Sequence, residues 1–448
     1  MANSIFAALG LEDHVDEPIV EEPVIEPVEN EEIVEDLPSS EELDKPQIEI
    51  SEATSDLNDL GDMQVAMEDA INRRGGLSPE AGKLASNIIA SIDSRYRFKV
   101  APAPSMEDYE GGRHRLMTQI SMEGVKERIQ QLWEWLKKKM KALKDWIVGL
   151  YRKAKAFFDK AKENAEQAKE KAKKGQKTKG PISLPAAPFL IDGRVIKPNE
   201  MVKAIEDLQK MIDVYKKDSV RIFTHVLQQC YKKMQQLSEV STDTPIAQEL
   251  GNVYIEAFGT AAPNLAGPGA SKKPFDSGTV AGSKPLVGNV EINVTWPTKE
   301  IIADNIMSYL GKCDISIEVG TISKDLTTVD FEPLDASLGI PLAEAISKLA
   351  DSTNNVADLN RLFDRREELM SSYQSTLTKL VQGKGFESPL GTPEFVLIMT
   401  TLNHRLSKYE TDLLNLLKRL VTAYTTLLNK SYELTQGATS AKEEPNQA

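Results

Sequence analysis

"VKERIQQLWEWLKKKMKALKDWIVGLYRKAKAFFDKAKENAEQAKEKA", residues 125–172, is the stretch on which the reading of this chain turns. Val125, Ile129, Leu132, Leu136, Met140, Leu143, Ile147, Leu150, Ala154, Phe157, Ala161, Ala165, Ala168 and Ala172 recur at steps of three or four. That spacing puts them on one face of a straight α-helix with about 3.6 residues per turn. Trp133, Trp146 and Phe158 widen the stripe over its first two thirds. The other face is rich in lysine: residues 124–180 hold 18 Lys or Arg against 7 Asp or Glu. Such a helix, residues 124–174, would run for about 75 Å at about 1.5 Å per residue. Gly149 weakens its middle by about 1 kcal/mol relative to Ala and marks a point where it could bend.

Upstream the chain changes character. The 448 residues carry a formal net charge of -14. Residues 1–123 alone hold 28 Asp or Glu against 9 Lys or Arg, so the remainder is net positive by about 5. The sign changes at the Glu123–Gly124 bond, where the apolar stripe begins. Residues 15–50, "VDEPIVEEPVIEPVENEEIVEDLPSSEELDKPQIEI", mix acidic residues with Pro, Val and Ile. Their prolines interrupt helix and ladder and their charge repels itself, which predicts an extended, disordered segment. Helical character is expected near 62–93, where "SPEAGKLASNIIASI" offers Ser78 as a cap and Pro79 as the first helical residue. "KVAPAPSMEDYEGGRHR", residues 99–115, returns to Pro and Gly and reads as a connector. Residues 1–123 are therefore an acidic, largely disordered arm.

Downstream, residues 175–198 read as a linker and 199–436 as a helical bundle, with long helices over about 199–241, 341–382 and 392–436. The Gly-, Pro- and Ser-rich residues 261–285 read as a mobile loop. "LVGNVEINVTW" and "CDISIEVGTIS" alternate as strands and predict a small antiparallel β insertion near 286–324. Residues 437–448 read as a disordered tail. The fold class is mainly α.

Little chemistry is written into this pattern. His14, His114, His225 and His404 are too far apart for a metal-ligand motif. The Gly-rich loop has no GxxxxGK[ST] spacing and leads into a strand, so it is not a phosphate cradle. Cys230 and Cys313 show no paired or metal-like spacing, which fits a reducing compartment. Neither a membrane-spanning run nor a secretory signal is present in the sequence. No catalytic, cofactor-binding or metal residue is expected, and the chain does not read as an enzyme. The basic helix leaves three uses open. Its stripe can pack on the bundle; it can lie in a lipid interface with Trp133 and Trp146 among its aromatic anchors; or Lys137, Lys138, Lys139, Lys141 and Lys144 can face nucleic-acid phosphates without sequence preference.

Ser121-Met122-Glu123-Gly124, preceded by an acidic arm and followed by a Lys- and Trp-rich amphipathic helix, resembles the processed internal head (inner body) proteins of giant phiKZ-type tailed bacteriophages. In that family a prohead protease cuts after Glu in a Ser-x-Glu motif and removes an acidic propeptide. The resemblance rests on the layout of about the first 180 residues. It implies a cut after Glu123, with Ser105-Met106-Glu107 and the overlapping Ser39-Ser40-Glu41 and Ser40-Glu41-Glu42 as secondary sites. Ser78-Pro79-Glu80, Ser316-Ile317-Glu318 and Ser431-Tyr432-Glu433 also match, inside predicted helices or a strand. The implied protein is a structural virion component of the capsid interior, assembled in the host cytoplasm. Its implied partners are the prohead protease and packaged double-stranded DNA or other inner-core proteins, with self-association a further option. Before cleavage the acidic arm would mask the basic helix, because opposite charges attract at short range. The alternative is a membrane-remodelling protein whose amphipathic helix is delivered into the host with the genome.

Overall fold

A computed structural model describes residues 37–98, 113–239, 246–267, 269–275, 278–297, 306–321, 326–354 and 392–432. The expectations for residues 1–36, for Ser105 and Glu107 in 99–112, for 355–391 and for the tail 437–448 fall outside the described residues.

A 3-10 turn, Ser40–Leu43, opens the described chain, with Ser39 and Glu42 closing a capping box over it. It leads into α1 (Asp44–Arg74), which ends on the left-handed Gly75. Pro46 is the third residue of α1, where a missing N–H loses no helical hydrogen bond. α1 corrects the expectation of an extended segment over residues 15–50 where the two overlap, at 44–50. Leu43, Ile50, Ala53, Leu60 and Met67 form an apolar line that is at most 1 % exposed, and its burial outweighs the acidic composition around it. α2 (Pro79–Tyr96) follows, with the Ser78 side chain accepting from Ala81 N.

α3 (His114–Lys173) is a single helix of 60 residues. It begins ten residues before Gly124 and continues through Gly149, so neither the change of charge sign nor the glycine breaks it. Every stripe position named above is buried except Trp146 and Phe157, which are half-buried, the latter beside a fully buried Phe158. The stripe packs on α1 and on α7 (Ala336–Asn354) and α8 (Thr392–Tyr432).

Between α3 and α7 lie β1 (Ile182–Pro185), the short hairpin β2 (Leu190–Ile191) and β3 (Arg194–Val195), α4 (Pro198–Glu239) and α5 (Ile246–Leu265). Next come β4 (Ser271–Phe275), β5 (Gly278–Gly282), β6 (Val290–Pro297), the single turn α6 (Met307–Leu310), β7 (Asp314–Val319) and β8 (Thr328–Phe331). β4, β5, β6 and β7 form an antiparallel meander in that order, with Val294 opposite Ile315. β1 pairs with β8, Ile182 opposite Phe331. The mobile loop expected over 261–285 is thus corrected: its residues finish α5 and supply β4 and β5. The ladder with β6 holds the Gly-rich strands in place, giving their backbone groups partners that the local sequence does not advertise. The sheet and α6 sit tightly on α5, since a Cβ on Gly251 would lie 2.3 Å from the Tyr309 ring of α6 and one on Gly259 2.7 Å from the Trp296 indole of β6.

α8 is the hub. Phe395, Met399, Leu402, Leu406, Tyr409, Leu413, Leu417, Leu420, Tyr424 and Leu427 are each at most 2 % exposed. α8 touches α1, α3, α4, α5, α7 and β7. A helix contacted from so many directions is apolar around most of its circumference.

Candidate functional site

The junction at Glu123–Gly124 lies within α3, and its neighbours tie it down. Ser121 is 2 % exposed, Met122 is half-buried against the core, and Glu123 points outward with Lys126 Nζ 3.5 Å away. The Gly124 carbonyl accepts from Arg128 Nη1 at 2.9 Å. A Cβ at residue 124 would come within 3.0 Å of that nitrogen, so glycine gives the guanidinium room to pass. The fully buried Arg128 then forks onto α2, donating Nε to Asp93 Oδ1 at 2.7 Å and Nη2 to Oδ2 at 2.6 Å. Upstream, Thr118 Oγ1 accepts from Leu77 N at 2.8 Å and donates to the His114 carbonyl at 2.6 Å. Gly76, with φ +129, lies so close that a Cβ there would be 2.5 Å from the His114 backbone. Proteases cut where backbone is exposed and loosely held. Reaching this bond in the folded chain requires unwinding α3 and detaching it from α2.

The secondary site at residues 39–42 is also packed. Ser40 is buried, Glu42 accepts from Ser39 N at 3.3 Å and from Trp146 Nε1 at 3.1 Å, and the Pro38 carbonyl accepts from Asn415 Nδ2 at 3.2 Å. Ser105 and Glu107 belong to the segment joining α2 to α3.

The basic residues singled out on α3 divide into two sets. Lys139 donates to Glu49 of α1 at 2.7 Å and lies 5.1 Å over the Trp135 ring, which in turn meets Tyr96 edge-on. Lys137 donates to Glu134 at 2.7 Å beside the buried Trp133. Trp146 is half-buried and hydrogen-bonded to Glu42. These groups serve the fold. Lys138 and Lys141 are exposed; of Lys144 only the helical backbone is described. Further along, Lys162 pairs with Asp351 at 2.6 Å and Lys169 with Glu344 at 2.8 Å, both on α7. The hydrogen bond that each lysine donates to its carboxylate raises the pKa of that lysine, and Lys169 holds Glu344 below the ordinary carboxylate range. The outward face of α3 carries both signs: exposed Glu127, Glu134, Asp145, Glu163, Glu166 and Glu170 alternate with Lys138, Lys141, Arg152, Lys153, Lys173 and Lys174. The lysine excess of the sequence is therefore not a uniform cationic stripe, and the apolar stripe that a lipid surface would need lies inside the protein.

A third cluster, on α1 and α8, was not legible in the sequence. Asp44 accepts from Lys408 Nζ at 3.0 Å and lies 3.1 Å from His404 Nε2. Burial pushes the His404 pKa down to about 4, against the opposing pull of the Asp44 carboxylate. An open cleft of about 530 Å³ adjoins it, with Ile48, Met307, Ile315 and Ile317 on its apolar side and His404, Arg405 and Lys408 on its polar side. Arg405 is tied to Asp314 and to the Leu310 carbonyl. Burial pushes the Cys230 and Cys313 thiols up to about 12, so neither is poised as a thiolate nucleophile. Among the described residues no group of three or more His, Cys, Asp or Glu could hold a metal ion, and no helix is long and apolar enough to cross a membrane.

A family model described as phiKZ-like phage internal head proteins matches residues 29–439. That span takes in α1, the junction, α3 and the whole C-terminal bundle, well beyond the first 180 residues that carried the resemblance. No curated protein and no solved structure matches the chain.

Proposed function

The chain belongs to the phiKZ-like phage internal head proteins, and from that membership we propose a body that packs the capsid interior beside DNA and other inner-core proteins and is matured by prohead proteolysis. Its place is inside the virion head and its role there is structural. The observation that carries the reading is the extent of the match, which spans the acidic helix α1, the basic helix α3 and the hub α8 together.

Within that role α3 acts as a beam. Its apolar stripe holds α1, α7 and α8, and its outward face of mixed charge sits beside DNA without a dedicated binding stripe. Contact with packaged duplex is made non-specifically by the exposed Lys138, Lys141, Arg152, Lys173 and Lys174 and is salt-sensitive.

For maturation the favoured bond follows Glu107, in the Pro- and Gly-containing stretch between α2 and α3. The alternative after Glu123 lies inside a helix that is anchored on both sides of the bond. The test is the N-terminus of the protein in mature particles, read by mass spectrometry. A start at Asp108 supports the proposal. A start at Gly124 means that the cut precedes docking of α3, and an intact Met1 or Ala2 end removes processing altogether.

A further inference from the structure

We infer that residues 37–98 are not discarded when the chain is cut between α2 and α3, but remain bound as a noncovalent subunit of the body. The inference rests on the processing proposed above, and it follows from how the segment is held. Of its side chains, Ile50, Ala53 and Leu60 are 0 % exposed and Leu43, Met67, Ile89 and Ile92 are 1 % exposed. α1, a helix of 31 residues, lies against both α3 and α8, the beam and the hub. Apolar burial of this kind does not depend on a covalent link between the two pieces.

Polar contacts fix the same docking at several separate points. Asp93 of α2 holds the buried Arg128. Glu49 holds Lys139, Glu42 holds Trp146, and Asp44 holds Lys408 of α8. Leu77 N donates to Thr118 at 2.8 Å and Tyr96 packs edge-on to Trp135. Loss of the segment would take the Asp93 carboxylate from Arg128 and bare to water the apolar faces of α3 and α8 that α1 covers, which is unfavourable.

The consequence differs from electrostatic masking. Residues 37–98 hold 12 acidic and 6 basic residues, whereas residues 1–36 hold 12 acidic residues and no Lys or Arg. Retention keeps the first set in the particle. With a cut after Glu107 alone, residues 1–36 stay covalently joined to the retained segment, so no negative charge is shed.

The test needs no phage protease. The recognition sequence of a site-specific protease is inserted into residues 99–112 of the full chain and, in a second variant, at another point of the same segment. Uncut protein with wild-type helicity and elution volume certifies the insertion. After complete digestion, gel filtration in 1 M NaCl is expected to return both fragments in one peak at the uncut volume. At that ionic strength the Debye length is about 3 Å, so attraction between charges alone no longer holds the pieces together. Separation of the fragments, in low salt or only in high salt, overturns the inference. Digested Leu60→Asp protein is expected to lose its N-terminal fragment at least tenfold faster than digested wild type. If it does not, the apolar face of α1 is not what holds the segment and the inference fails. The N-terminus of the native particle tests processing alone, so the two failures are told apart.

Discussion

Arg128 and Asp93 join α3 to α2 through two parallel hydrogen bonds, 2.7 and 2.6 Å long, and the arginine is wholly buried. Its third nitrogen bonds the Gly124 carbonyl, so one side chain ties the acidic half of the sequence to the basic half at the point where the net charge changes sign. Asp93→Ala strands that guanidinium. It is expected to cost about 3–5 kcal/mol in a denaturant titration, the usual result of breaking one side of a buried pair. The double variant Asp93→Leu/Arg128→Met is expected to recover most of the loss.

Ile50 and Leu60 decide whether the acidic arm belongs to the core. Either one changed to Ala is expected to destabilise the whole chain by about 2–5 kcal/mol, with the arm and bundle unfolding in one transition. Val65 lies on the same helix but is 63 % exposed, and Val65→Ala is expected to stay within about 0.5 kcal/mol. Equal effects at all three positions would place α1 outside the cooperative unit.

Gly149 has no atom within 4 Å of where a Cβ would stand, and its backbone is helical. Gly149→Ala is therefore expected to raise stability by about 0.5–1 kcal/mol, seen as a higher Tm. Gly124→Ala meets Arg128 at 3.0 Å and is expected to give less or to destabilise.

Lys138 and Lys141 are exposed whereas Lys139 is tied to Glu49. The double change Lys138→Glu/Lys141→Glu should leave stability within about 0.5 kcal/mol and weaken duplex DNA retention in low salt. Lys139→Glu places a like charge against Glu49 and is expected to cost about 1–3 kcal/mol. Calorimetry and filter binding on the same three proteins separate the two roles; unchanged DNA retention in the double variant would remove these lysines from any DNA contact.

His404 sets a pH dependence. Its pKa lies at about 4 when folded and about 6.5 when unfolded, so the unfolded chain binds the extra proton between those values. The contribution to stability is complete above about pH 6.5 and is lost as pH falls towards 4. Burial raises the pKa of Glu410 and of Glu394, and both act in the opposite sense. A comparison with His404→Gln isolates the histidine because both glutamates remain. The variant is expected to lose less stability than wild type between pH 7 and pH 4.5. Equal losses would show that His404 is not the group responsible.

How much of this was legible beforehand varied with the element. The spacing of the α3 stripe carried both helix and buried face, since a period of about 3.6 over 48 residues leaves few alternatives. In α1 the same signal is diluted by acidic residues and by Pro46, and composition argued for an extended chain. β4 and β5 hide in a Gly- and Pro-rich stretch because their order comes from the ladder with β6. The pairing of Ile182 with Phe331 bridges 149 positions, which no local pattern encodes. At the candidate site, the lysines were visible as a count, but their division into paired and exposed sets depends on Glu49, Asp351 and Glu344 from other elements. The charge boundary at Glu123 was real in composition and absent from the backbone.

α8 follows every other described helix along the chain, yet it is the element the others close around. During synthesis at about 5–20 residues per second, α1 and α3 exist for on the order of half a minute before their central partner is made. For that interval their apolar faces must be tolerated by the nascent chain or shielded by other factors. The body closes only when translation reaches about residue 432. Order of synthesis thus leaves α1 and α3 to pair with each other first, and makes the last described helix the one that completes the core.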